Sequence, residues 1–388
     1  VAPATTQSEP THVVIAGGGF GALETLLALR ALAGERVRLT LVSASPQLAY
    51  KPAATAEAFE ETTPLAYDLQ AIATDNGADF RLDYLEAVAG EAHTVRLASF
   101  ARLQYDALVL AVGARSIVAV PGATTFRDQH QVHHIRRLLE EIRSDALQRV
   151  IFAVPGGCAW LLPQYELALL TATRLKELQL ACEVTLVTPE REPLQAFGEH
   201  ASRLVAQLLG ERGVGFLGDS EPESVDHDGA LVLRSGGTLQ ADRVIAATAL
   251  TGPRITGLPA DHWSFVTTDA QGNVAGLPDV YAVGDMTSYP IKQGGLAAQQ
   301  ADLVAQQIAA GCGLAVASSR VHRILRARLI GGENPVFLRT ELNEFGQPTA
   351  STLHGLFNSD PESEAHPEKV FGRYLTSYLQ ARTPVLAG

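Results

Sequence analysis

"HVVIAGGGFGALETLLALRAL", residues 12–32, decides how this chain folds. An apolar run, Val13 to Ala16, reads as a buried strand, and it passes into a helical pattern whose Leu23, Leu26 and Leu27 share one face. Between them stands Gly17-x-Gly19-x-x-Ala22. The first glycine permits a tight turn, the second lets the backbone approach a ligand, and the small Ala22 lets helix and strand pack closely. A helix that begins at such a turn offers unpaired N–H groups and the positive end of its dipole, the chemistry that holds a pyrophosphate. A second strand, "VRLTLV" at 37–42, follows at the distance a βαβ unit requires. An acid usually closes that strand and grips ribose hydroxyls. Here the residue is Ser43, with Ser45 beyond it, so a ribose contact would rest on a hydroxyl.

The same order returns at residues 149–192, "RVIFAVPGGCAWLLPQYELALLTATRLKELQLACEVTLVTPERE": strand, glycine turn, helix and a strand reading "VTLV" against the earlier "LTLV". Gly17 stands seven positions before Glu24, whereas Pro155 stands eleven before Glu166, so the second loop is four residues longer. Pro163 is placed to start the helix, where its missing N–H costs little. A loop holding Pro155, Trp160 and Pro163, followed by a strand that closes without an acid at Thr188, is poorly made for a dinucleotide. The expectation is a degenerate or repurposed second unit, with NAD(P)H binding as its alternative.

Composition agrees with a soluble, multidomain chain. A length of 388 residues suits two or three domains, and 46% apolar with 19% charged residues describes a globular protein. The formal net charge of −12 argues against nucleic acid as a partner, since phosphate neutralisation needs clustered Lys and Arg. Three cysteines, Cys158, Cys182 and Cys312, form no close pair, which points to a reducing compartment. No apolar run reaches the roughly 18 residues of a spanning helix. The expectation is a cytoplasmic protein with a loose arm at residues 1–10, and no pattern for a metal site is evident.

Two further segments close the first unit. "YDALVLAVGARSIVAVPGA" gives a buried strand from Ala107 to Val112 followed by Gly113, and "ADRVIAATAL" repeats that pattern later; both read as crossings between two nucleotide-binding domains. In "VYAVGDMTSYPIKQGGLAAQQA" a strand ends at Gly284-Asp285 and a helix begins near Gly294, so Asp285 can accept a hydrogen bond from a sugar-like hydroxyl, the alternative being a plain turn aspartate.

The glycine loop, the "LVLAVGA" segment and the "VYAVGD" segment together resemble the FAD oxidoreductases of the pyridine nucleotide-disulfide superfamily, over about residues 11–310. The resemblance implies an α/β fold with two Rossmann-like domains. The FAD domain would comprise residues 11–120 and 245–312, split around a second, NAD(P)-type domain at 121–244, with a small C-terminal domain at 313–388. It further implies FAD lying along Gly17, Gly19, Phe20, Gly21, Ala22 and Ser43, beside Lys51, Gly113, Gly284 and Gly294, with its ribitol on Asp285.

Residues 43–60 hold no cysteine pair, which excludes the disulfide reductases of that superfamily. "SPQLAYKPA" instead resembles the corresponding loop of sulfide:quinone oxidoreductases and type II NADH dehydrogenases, and "YPIKQGG" a segment of sulfide:quinone oxidoreductases in which Lys292 would lie beside the flavin; the alternative is a solvated surface lysine. "PGGCAWLLPQYE" resembles the sulfide:quinone oxidoreductase loop that carries a cysteine over the flavin, here Cys158, although Cys158 lies two residues farther from Tyr165 than in that family. The late partner cysteine is absent from "ILRARLIGG", so a two-cysteine relay has no second member. A single thiol would need nearby positive charge to become a nucleophile. Cys182 reads as core and Cys312 as a surface turn.

The last helical pattern sets Val370, Phe371, Tyr374, Leu375 and Tyr378 on one side, to dock within the protein or dimer or to lie on a membrane that supplies quinone. The expected function is an FAD-dependent oxidoreductase, a cytoplasmic homodimer with peripheral contact at the inner membrane face as the alternative, passing an electron pair from NAD(P)H, sulfide or a thiol to a quinone or small acceptor. Its alternative is a non-catalytic flavin-binding subunit or redox-dependent scaffold.

Overall fold

Alternation along the strands shows how the chain is layered. In the strand Thr11–Ala16, Val13 and Ile15 enter one apolar cluster while Val14 and Ala16 enter another, so both faces of the sheet are covered. That is why the segment reads as continuously apolar rather than alternating. The computed structural model describes residues 9–50, 54–59, 65–144, 146–316, 321, 323–331, 334–349, 372–382 and 385–386. Lys51, Val370 and Phe371 lie outside the described residues, as does most of the expected N-terminal arm.

The first sheet is parallel, in the order Val280–Ala282, Ala107–Leu110, Thr11–Ala16, Val37–Ser43, Asp79–Leu82. The helix Phe20–Ala33 covers one face and packs along the helix Gly294–Gly311. The first helix lies close to the end of the strand Val280–Ala282 because a side chain is missing: a Cβ on Gly21 would lie 3.1 Å from a methyl of Val283. The second sheet repeats the plan, in the order Thr124–Thr125, Arg243–Ala246, Arg149–Ala153, Glu183–Val187, Val214–Leu217, with the helix Leu162–Glu177 following its first glycine turn. Pro163 stands in the first turn of that helix, as its chemistry requires. The internal repeat is thus a repeat of fold.

The two crossings between the units lie side by side: Arg115–Ile117 pairs antiparallel with Ala249–Thr251. The expected boundary between residues 244 and 245 needs correction, because it falls inside the strand Arg243–Ala246, which belongs wholly to the second sheet. The C-terminal part also differs from expectation, having no core of its own among the described residues. Leu325, Leu329 and Leu338, from the hairpin Ile324–Leu329 with Val336–Glu341, join the core of the second unit. Leu375 and Leu379, from the helix Leu375–Gln380, join that of the first. A short segment lowers its free energy by extending an existing core when it is too small to build one. Among the described residues, no helix is long and apolar enough to cross a membrane.

Candidate active site

In open parallel sheets a ligand crevice forms outside the carboxyl ends of the strands, where the chain winds in opposite directions. In the first sheet that point lies between Thr11–Ala16 and Ala107–Leu110, flanked by the Gly17 loop and Gly113. The three loop glycines differ in their reasons. Gly17, at φ +139°, turns beneath the neighbouring strand, and a Cβ there would lie 2.1 Å from the Ala111 carbonyl oxygen. Gly18 sits on Ser43, whose Oγ would be 2.4 Å from an added Cβ. At Gly19 an added Cβ would meet nothing within 4 Å.

Gly19 is also the N-cap of the helix and contributes no capping side chain, so the first-turn N–H groups, those of Phe20, Gly21 and Ala22, have no partner from their own helix. A packed floor, an open upper face and uncapped donors fit a pyrophosphate. Phe20 meets Tyr50 edge to face at 5.8 Å on the same side. Ser43 is buried and its Oγ accepts from the backbone N–H of Ser45 at 3.2 Å, while Ser45 Oγ donates to the Gln47 carbonyl. Both hydroxyls are therefore engaged in the turn that follows the second strand.

Asp285 lies in the turn Gly284–Met286, just past the strand Val280–Ala282. Gly284 has a φ of +75°, and its N–H donates to the Gln300 side-chain oxygen at 2.6 Å, which ties the turn to the helix behind it. Lys292 is buried rather than solvated, at 5% exposure. Its Nζ donates to the carbonyls of Thr287 and Tyr289 and stands 4.0 Å from the centre of the Phe265 ring. Burial pushes its ammonium down to about 8, against the opposing pull of the Asp285 and Asp261 carboxylates. Gln293 caps the next helix, accepting from the Leu296 N–H at 2.9 Å.

The loop holding Cys158 meets this segment directly, since the Lys292 N–H donates to the Ala159 carbonyl at 3.2 Å. Cys158 and Lys292 are thereby brought to one seam between the two units. The Cys158 Sγ donates to the Trp160 carbonyl at 3.5 Å. Burial, aided by the negative charge of Glu190, pushes this thiol up to about 11, so the positive environment that would make it a nucleophile is not what surrounds it. Cys182 precedes the strand Glu183–Val187 and is likewise pushed up to about 11 by burial. Cys312 caps the end of the helix Gly294–Gly311, its Sγ 3.4 Å from Thr11 Oγ1.

The second glycine turn is covered by the chain itself. The segment after the strand Val214–Leu217 folds over the end of Glu183–Val187: Ser220 N–H donates to the Thr188 carbonyl and Asp219 N–H to that of Glu190. This carries Glu221 onto Gly156, where an added Cβ would lie 2.0 Å from Oε1. The sequence reading stopped at Thr188 and so missed the acid two residues on. Glu190 is buried, accepts from Tyr165 Oη at 2.6 Å and from the Gln195 N–H at 3.0 Å, and is pushed up to about 7 by burial.

Also missed were the roles of Glu24 and Glu166, although both interrupt strongly apolar helices. Glu24 accepts from the N–H groups of Tyr374 and Leu375 at 2.8 and 2.7 Å, which docks the last helix. Glu166, its counterpart in the repeat, accepts from Thr55 Oγ1 at 2.7 Å and Ile330 N–H at 3.1 Å. A lone acid on an apolar helix face was the signal available for both.

The profile of the pyridine nucleotide-disulphide oxidoreductases matches residues 11–302. The chain is 26% identical over 228 residues to a sulfide-quinone reductase of Aquifex aeolicus, a stretch that covers 56% of this chain and only about half, 53%, of that protein. It is 30% identical over 299 residues to the ferredoxin–NAD(+) reductase component of the anthranilate 1,2-dioxygenase system of Burkholderia cepacia, covering 71% of this chain and 68% of that one. The solved structure of the sulfide:quinone oxidoreductase of Aquifex aeolicus shares the fold with a TM-score of 0.77 at 21% identity, over 85% of this chain and 84% of that one. With a glycine loop shaped for a pyrophosphate and a match along three-quarters of its length, the chain belongs to the pyridine nucleotide-disulphide oxidoreductases, a family of FAD-dependent oxidoreductases.

Proposed function

We propose that the chain holds one FAD in the first crevice and passes an electron pair from a small reductant of the sulfide or thiol class to a quinone or another small acceptor. The observation that carries this reading is the contrast between the two glycine turns: Gly19 is open above, whereas Gly156 lies under Glu221. A donor that needs no second dinucleotide site suits that contrast. The names of two relatives, a sulfide-quinone reductase and a ferredoxin–NAD(+) reductase component, span the choice of donor and acceptor.

FAD, when bound, supplies the two-electron chemistry. The uncapped N–H groups after Gly19 would hold its pyrophosphate, and Asp285 would accept from a hydroxyl of its ribitol. Lys292 fixes the turn from Thr287 to Tyr289 through two carbonyls and places a cation behind Asp285. A nearby cation favours charge that develops on reduction. The Cys158 loop is the wall that the second unit contributes, and its protonated thiol acts there as a lining group.

The test is anaerobic stopped-flow on the purified yellow protein, following flavin absorbance after mixing with sulfide, NADH or NADPH in separate shots. Rapid bleaching by sulfide alone is the expected result. Bleaching by a nicotinamide alone would overturn the donor assignment and favour the second reading, for which the intact βαβ fold of the second unit speaks.

A further inference from the structure

Three observations meet at the second glycine turn. The Glu221 Oε1 atom that crowds Gly156 is the same atom that pairs with the Arg234 guanidinium at 3.1 Å. The backbone that delivers it is held in place, because a Cβ on Gly218 would lie 2.7 and 2.8 Å from the carbonyl oxygens of Glu190 and Arg191. On the other side of the turn, Gly157 has a φ of +75° and faces Ala249 at the point where the winding of the sheet reverses.

A negatively charged oxygen over a turn glycine, with an arginine behind it, is the arrangement a bound phosphate would make. We infer that Glu221 is an internal occupant of the phosphate position of the second unit and is the residue that sets this chain against NAD(P)H as a donor. The inference deepens the proposed function and rests on it.

The exclusion has an electrostatic and a steric part. A dinucleotide pyrophosphate entering here would stand against the Glu221 carboxylate, and like charges at contact distance oppose binding. To make room, the carboxylate must leave both Gly156 and Arg234, and only then does the guanidinium become available to the incoming anion. Removing the carboxylate while keeping Arg234 should therefore convert a site that refuses phosphate into one that accepts it. Glu221 stands on the loop after the strand Val214–Leu217 and belongs neither to the Gly17 loop nor to the Gly284-Asp285 turn.

The experiment uses the flavin-loaded full chain with Glu221→Ala and with the isosteric Glu221→Gln, each measured for reduction by NADPH, NADH and sulfide. Expected for Glu221→Ala is a fall of at least tenfold in the half-saturating NAD(P)H concentration, or the appearance of reduction where the parent shows none, with sulfide reduction unchanged. Glu221→Gln, which removes the charge and keeps the bulk, should give a smaller gain. The gain should vanish in Glu221→Ala/Arg234→Ala, because the arginine is then missing. If NAD(P)H reacts no better with Glu221→Ala than with the parent, Glu221 is not the determinant and the inference fails. That result leaves the proposed function standing as long as sulfide bleaches both proteins. If the parent is already reduced by micromolar NAD(P)H, both the donor reading and this inference fall together.

Discussion

Ala159 and Lys292, 133 positions apart, are joined by a backbone hydrogen bond of 3.2 Å from the lysine N–H to the alanine carbonyl. This bond fastens the glycine turn of the second βαβ unit to the segment that leads into the helix Gly294–Gly311 of the first. Through it the loop carrying Cys158 is held against the segment that carries Lys292.

The loop glycines should separate folding from cofactor binding. Gly19→Ala adds a methyl into open space and should leave the melting temperature of the flavin-free protein within about 2 °C of the parent while weakening FAD binding at least tenfold. Gly17→Ala forces a Cβ onto the Ala111 carbonyl at a backbone angle that side chains avoid, and should cost about 3 kcal/mol of stability as well. Differential scanning fluorimetry beside a flavin titration checks both. Equal stability losses in the two variants would refute the distinction.

Lys292 should leave a signature in the pH dependence of stability. Its ammonium titrates at about 8 in the folded protein, against about 10.4 in an unfolded chain. Between those values the unfolded chain binds the extra proton, so the stability of the flavin-free protein rises with pH across that window and is constant, for this group, below it. Urea unfolding from pH 7 to 10.5 measures the rise. In Lys292→Met the rise should disappear, and overall stability should fall by about 2 kcal/mol, because the carbonyls of Thr287 and Tyr289 lose their donor.

The buried carboxyls of Glu24, on the helix Phe20–Ala33, and Asp302, on the helix Gly294–Gly311, act on each other electrostatically. Burial and the charge of Glu24 push Asp302 up to about 8, partly offset by Arg373, so the folded protein keeps a proton that an unfolded chain loses near pH 4. Stability consequently falls as pH rises from about 4 to about 8 and is flat above. Asp302→Asn should flatten that fall, as read from melting temperatures across the range. A parent-like slope in the variant would assign it elsewhere.

Cys158 should be a slow thiol. With its proton held to about pH 11, the thiolate fraction at pH 7.5 is about two orders of magnitude below that of a free cysteine. Iodoacetamide labelling followed by peptide mass spectrometry should find Cys158 reacting correspondingly slowly, with a rate that climbs steeply above pH 9. Rapid labelling at pH 7.5 would show that the loop opens in solution.

The repeated strand, glycine turn, helix and strand were legible from residue 11 onward because they are local. Their period, their small residues and the position of Pro163 follow from backbone sterics and helix ends. The Gly284-Asp285 turn was legible for the same reason. What the sequence by itself determined is therefore two βαβ units, a short first glycine turn and a longer second one. Whether a turn is open is a different matter. Glu221 is 65 residues from Gly156, and Glu24 is 350 from Tyr374. No pattern in the chain announces which residues will meet: an acid on an apolar helix, such as Glu24, signals that a polar partner is needed but not where in the chain it lies. Tertiary structure alone decided that Lys292 is buried beside Phe265, that the C-terminal segments extend cores built by other parts of the chain, and that a carboxylate stands over the second glycine turn. The physical reason is that desolvation and pairing of charge depend on what packs against a group from afar, and packing is settled only when the whole chain has closed on itself.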